Sequence, residues 1–320
     1  MSTTSQKTIL FLHGYTQNAS IFRAKSSALR KKLMKLGYNC VYLNAPYVLT
    51  PADLPTSSDG DSSLSKFGSV ASDAEHHITY RGWWIKPNKG NDFVEIDKSF
   101  DAVKNYINKG EILPDDEEIK KENIQIKKEA ENEQKKDKEA TEGKKSEEVV
   151  GIIGFSQGGA FANLIAHNFN TLFNTNTSLK FVILYSSFKL DTLKRAGNEK
   201  YMSYYPLGQD DLDQSSTRYL HVLGELDTVV DESRSLAIYE TTKSRSDLLK
   251  HPGGHFVPNS KVYVDQVCNW IQSVTTDEVE KSKNGTNDNG VKDETNKFSQ
   301  KDTKDDIDDL LAMMDGFGKA

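Results

Sequence analysis

Val149-Val150-Gly151-Ile152-Ile153-Gly154-Phe155-Ser156-Gln157-Gly158-Gly159-Ala160-Phe161-Ala162-Asn163-Leu164-Ile165 is the stretch on which the fold turns. The apolar run Val149 to Ile153 reads as a buried strand. The glycines around Ser156 read as a sharp turn, and the residues after them as a helix. A serine at such a corner has its hydroxyl exposed at the end of a parallel sheet, the geometry of a nucleophile elbow. Glycines two before and two after it are needed because a Cβ there would clash with the adjoining strand and helix. An ordinary Gly-rich strand-to-helix turn is the competing reading.

Outward from this point, strands and helices alternate. Lys7 to Leu12 reads as a buried strand ending in His13-Gly14. Ala19 to Leu36 has helical spacing, with Ile21, Phe22, Leu29, Leu33 and Leu36 on one side and Gly37 as its stop. Tyr38 to Leu43 is a strand, Pro51 to His77 a long loop and Asp97 to Asn108 a helix. After the elbow, strands are expected at Leu179 to Ser186, Tyr219 to Leu223 and Asp247 to Lys250. Helices are expected at Asp231 to Thr242 and Val262 to Val274. This alternation points to a mostly parallel sheet covered by helices on both faces.

Two stretches break the pattern. Residues 115–148 are dominated by Lys and Glu and cannot bury a core, so they read as a charged, flexible surface insertion. Such an insertion costs a fold little closure entropy. From Thr275 the chain is polar and reads as a disordered acidic tail, residues 276–320, after a domain of residues 1–275. The tail holds a short apolar segment, 307–317, with Ile307, Leu310, Leu311, Met313, Met314 and Phe317. It reads either as plain acidic tail or as a short helix for a protein partner's groove.

The 320 residues carry 41 Lys and Arg against 47 Asp and Glu, a net charge of −6, which is no nucleic-acid footprint. Cys40 and Cys268 sit in apolar stretches and read as free thiols of a reducing compartment. The apolar run Ile9 to Leu12 is too short for a signal-peptide core, and no run is long enough for a membrane span. The expectation is a soluble intracellular protein. His76-His77 lacks the separation of a chelating pair, and no phosphate-binding Gly-rich loop follows a strand, so neither a metal nor a cofactor is expected.

A serine hydroxyl needs a base, and the base needs an orienting carboxylate. In an α/β-hydrolase these follow in the order Ser, acid, His, on loops after successive strands. Asp227 lies on the loop after the strand Tyr219 to Leu223. Asp231 competes but is better placed to cap the next helix, and Glu225 sits very early in the loop. His255 follows Gly253-Gly254, which let its loop fold close to the nucleophile. His251 precedes Pro252 and belongs to the strand end. The oxyanion hole needs two backbone N–H donors: Gln157, after the nucleophile, and Tyr15, after the turn at Gly14. Gln17 and Asn18 brace that loop, or Asn18 caps the following helix. Of Trp83 and Trp84, a strand would send one ring to the core and the other to a substrate pocket; both in the core is the alternative.

Together these blocks resemble the FSH family of serine hydrolases. The resemblance rests on Leu12-His13-Gly14-Tyr15 with Gln17-Asn18, Lys25-Ser26-Ser27 with Leu29-Arg30-Lys31, Asn44-Ala45-Pro46 and Arg81-Gly82-Trp83. It continues through Gly154-Phe155-Ser156-Gln157-Gly158-Gly159, Gly224 with Asp227, and His251-Pro252-Gly253-Gly254-His255 with Val257-Pro258. It implies an α/β-hydrolase fold, Ser156 as nucleophile, Asp227 as acid and His255 as base. It further implies cleavage of carboxylic esters without a cofactor, on a small-molecule acyl ester, in the cytoplasm, with the nucleus as a second location. An acyl thioesterase would use the same residues. A hydrolase fold kept as a non-catalytic binding scaffold is the reading from another class.

Overall fold

The computed structural model describes residues 6–50, 53, 79–85, 93–114, 147–193 and 197–283. Contacts divide the chain into a unit Met1–Glu278, which holds the whole sheet, and a unit from Val279. Of the second unit only residues 279–283, the end of the last helix, are described. The expected insertion lies outside the described residues except for Glu147 and Glu148, which open a strand. Most of the expected loop Pro51 to His77 lies outside them too, as do residues 284–320 with the apolar segment 307–317.

In chain order the elements begin with β1 (Gln6–Leu12), α1 (Ala19–Lys25), α2 (Ser27–Lys35), β2 (Asn39–Leu43), β3 (Tyr47–Val48) and β4 (Arg81–Gly82). Then come α3 (Asp97–Lys109), β5 (Glu147–Phe155), α4 (Gln157–Ala166), α5 (Phe169–Phe173) and β6 (Phe181–Tyr185). A 3-10 turn (Glu199–Tyr204) precedes α6 (Gln209–Asp213), β7 (Arg218–Gly224), α7 (Glu232–Glu240), β8 (Ser246–His251) and α8 (Lys261–Lys283). Six strands form one parallel sheet in the order β2-β1-β5-β6-β7-β8. β3 and β4 form a separate antiparallel pair.

The central strand β6 is wholly apolar and buried, and β1 and β5 are apolar over their later residues, because both faces of the sheet are covered there. Successive side chains go to opposite faces. Leu10, Leu12, Ile152, Val182 and Leu184 join one core cluster, with Phe161 and both tryptophans. Ile9, Phe11, Ile153, Phe181, Ile183 and Tyr185 join the other, with Phe22, Tyr42 and Cys268. Every loop leaving a carboxyl end of β1, β5, β6, β7 or β8 therefore opens on one edge, where ligands of open α/β sheets bind. The result is an α/β-hydrolase fold.

Two expected helices differ. Ala19 to Leu36 is two helices, broken at Ser26, whose hydroxyl bonds Phe22 O and the Tyr42 hydroxyl, both at 2.7 Å. Back-bonding to the i−4 carbonyl together with a buried partner on β2 favours a bend here. The last helix runs on to Lys283, past the expected end at Val274. Both cysteines are free thiols; burial raises Cys40 to about 12 and Cys268 to about 11. Among the described residues no helix is long and apolar enough to cross a membrane.

Candidate active site

Ser156 sits between β5 and α4 with φ 53° and ψ −118°. Few non-glycine residues hold such a backbone, and the fold must hold it. The Ser156 N–H donates to Tyr185 O at 2.9 Å on β6, and its carbonyl accepts the Ala160 N–H at 3.0 Å to start the helix. The flanking glycines leave no room for side chains. A Cβ on Gly154 would lie 2.5 Å from Gly159 Cα, and one on Gly158 would strike the carbonyl oxygens of Leu12 and His13. The elbow is thus pressed directly onto the end of β1.

Three side chains on three loops meet at this corner. The Ser156 hydroxyl lies 3.0 Å from His255 Nε2, and His255 Nδ1 lies 2.7 Å from Asp227 Oδ2. A carboxylate only accepts, so the imidazole proton is on Nδ1 and Nε2 is left to accept from the serine. The other Asp227 oxygen accepts the N–H groups of Val229 and Val230, each at 2.9 Å. Burial pushes the Asp227 carboxyl up. The bonds from His255 and Val230 outweigh it and hold the pKa below the ordinary 3.8.

Asp231 instead caps α7, accepting the Arg234 N–H at 3.1 Å. Glu225 is exposed, and its N–H donates to His251 O at 2.8 Å. His251 ends β8 and accepts the Gly253 N–H at 3.2 Å through Nδ1. His167 pairs with Asp211 at 3.0 Å, away from the serine.

The loop after β1 lies beside the nucleophile: a Cβ on Gly14 would come 2.9 Å from the Phe155 ring and 3.4 Å from Ser156 Cβ. Gln17 braces this loop by accepting the Gly14 N–H at 3.3 Å, and Asn18 caps α1 by accepting the Ile21 N–H at 2.8 Å. Gln157 is the first residue of α4, where backbone N–H groups have no intrahelical acceptor.

Trp83 and Trp84 are 0% and 2% exposed and belong to one core cluster. The alternation expected of a strand does not reach them, because β4 stops at Gly82. Trp83 stacks on Phe161 with ring centroids 4.9 Å apart, and Trp84 meets Phe188 edge-on at 6.2 Å.

Two contributors escaped the sequence reading. The Gln157 side chain takes the Trp83 N–H at 2.8 Å and gives its own to Trp84 O at 2.9 Å. Ser99, a polar residue on the buried face of α3, donates to Trp83 O at 2.5 Å. Nothing in Asp97-Lys98-Ser99-Phe100-Asp101 marks Ser99 in the sequence, because its burial depends on the distant Trp83.

Residues 1–267 match the family model described as Serine hydrolase (FSH1). The chain belongs to this serine hydrolase family. It is similar to Family of serine hydrolases 3 of Saccharomyces cerevisiae, 34% identical over 98% of each chain. It is also similar to Esterase OVCA2 of Danio rerio, 28% identical over 78% of this chain and 89% of that one. Among solved structures it is similar to Zea mays acyl-protein thioesterase 2, with a TM-score of 0.47 and 16% identity over 85% of this chain and 94% of that one. As a member of this family the chain is a serine hydrolase.

Proposed function

We propose that this serine hydrolase cleaves carboxylic esters through an acyl-enzyme formed on Ser156. The observation that carries the reading is the unbroken chain Ser156–His255–Asp227, with steps of 3.0 and 2.7 Å. Ser156 Oγ attacks the ester carbonyl carbon while His255 Nε2 takes its proton. Asp227 holds the ring in the required tautomer and stabilises the imidazolium. The carbonyl oxygen, now an oxyanion, accepts from the Tyr15 and Gln157 amides. The C–O bond to the alcohol breaks, and His255 returns the proton to the departing oxygen. Water then attacks the acyl carbon, with His255 again as base, and Ser156 leaves as a hydroxyl.

The test is steady-state turnover of p-nitrophenyl esters by wild type and Ser156→Ala. The reading expects a loss of at least about 10⁴-fold in kcat with folding intact. Wild-type turnover in a folded Ser156→Ala protein would remove it.

A further inference from the structure

An oxyanion hole works only if its donors converge on one point, yet here the two candidate amides belong to different elements. Tyr15 is on the loop after β1 and Gln157 opens α4. The short segment Arg81–Trp84 touches both. On the Tyr15 side, the Arg81 N–H donates to Gln17 O at 2.8 Å, and the Trp83 indole N–H donates to His13 O at 2.8 Å. Gly82 lies flat against the Tyr15 ring, where a Cβ would come within 2.8 Å of ring carbons. That ring has little freedom to retreat, because its hydroxyl donates to Asp53 O at 2.8 Å. On the Gln157 side, the carboxamide accepts the Trp83 N–H at 2.8 Å and donates to Trp84 O at 2.9 Å. Ser99 holds the middle of the segment from α3.

We infer that Arg81–Trp84 is a strap that sets the spacing of the two oxyanion amides, with the Gln157 carboxamide as its anchor and Gly82 as the spacer against Tyr15. The inference rests on the proposed roles of the Tyr15 and Gln157 amides. Gln157 then acts twice: its backbone N–H faces the reacting oxygen, and its side chain is a positioning group. Only a carboxamide matches a neighbouring backbone N–H and C=O together. A carboxylate offers acceptors alone, and a thioether of the same length offers no donor. The buried tryptophans serve the site from behind rather than by lining it.

An oxyanion contact forms in the tetrahedral state and not in the ground state, so misplacing it lowers kcat and leaves KM in place. The test compares wild type, Gln157→Met and Gly82→Ala. Neither substitution removes a backbone N–H or touches the triad side chains. Each folded variant should lose about 10- to 100-fold in kcat, with KM within about threefold. Affinity for a trifluoromethyl ketone, which becomes a tetrahedral oxyanion on Ser156, should fall by the same factor. The pH profile of kcat should keep its shape. If Gln157→Met does not fold, Ser99→Ala, which removes one hydroxyl from the strap, decides in its place. Folded variants with wild-type kcat, or a kcat loss without loss of ketone affinity, would overturn the strap while Ser156-dependent turnover stands. Absence of Ser156-dependent turnover in wild type would instead sink the catalytic reading and the strap with it.

Discussion

The Leu226 N–H donates to the carbonyl oxygen of Gly253 at 3.0 Å, tying the loop of Asp227 to the loop of His255. Gly224 makes the tie possible: a Cβ there would run into the carbonyl oxygens of Gly253 and Gly254. Asp227 and His255, the proposed acid and base, are therefore placed relative to each other by backbone, before their side chains meet. Gly224→Ala should push the loops apart and lower kcat by about 100-fold, since displacements near 1 Å cost that much in a preorganised site. Circular dichroism with ester kinetics checks this; a folded variant with wild-type kcat would contradict it.

Asp227 and Asp231 make opposite predictions. Asp227→Asn keeps the shape but cannot enforce the Nδ1–H tautomer, so kcat should fall on the order of 10⁴-fold with little change in melting temperature. Asp231→Ala removes a helix cap and should lower stability while sparing kcat. Denaturation midpoints measured beside kinetics separate the two. Interchanged results would move the acid to Asp231.

The backbone of Ser156 stores strain at φ 53°. Glycine relieves such strain and alanine does not. Ser156→Gly should be more stable than Ser156→Ala by about 1 kcal/mol, although glycine loosens the unfolded chain. Both should be inactive. Urea midpoints decide; an alanine variant as stable as the glycine one would mean the elbow is relaxed.

His13 is wholly buried, donating from Nδ1 to Gly14 O at 2.8 Å and accepting the Ala45 N–H at Nε2, 3.0 Å away. Burial lowers its pKa from 6.5 to about 4, and burial likewise lowers His221 to about 3. Below 6.5 the unfolded chain takes up protons that the folded chain refuses, so stability falls as pH drops from 6.5 toward 4. For His13 the loss amounts to about 3 kcal/mol at most, from a shift of that size. His13→Gln should flatten the melting temperature against pH in this window, with the His221 share remaining. An unchanged slope would contradict the assignment.

The meeting of Ser156, His255 and Asp227 was legible because its constraints are local. The glycines at 154, 158 and 224 mark places where backbone meets backbone, and each leaves a trace in sequence. The positions of the six sheet strands followed from mostly apolar runs bounded by turns, whereas their order in the sheet did not. What was hidden depends on partners distant in the chain. The break at Ser26 answers to Tyr42, and the choice between the two readings of Trp83 and Trp84, settled as burial of both, answers to Phe161, Phe188 and the Gln157 carboxamide. The overrun of α8 has another cause. Its apolar stripe ends near Val274, while the helix runs on through a stretch whose Glu278, Glu280, Lys281 and Lys283 favour a helix without any apolar period to signal it in the sequence.

The most direct measurement is fluorophosphonate labelling with the modified peptide mapped by mass spectrometry, on wild type, Ser156→Ala and His255→Ala. The account predicts a single adduct on Ser156 in wild type, none in Ser156→Ala, and labelling slowed by orders of magnitude in His255→Ala. A folded wild type that does not label, or a Ser156→Ala protein that labels as well as wild type, would contradict it.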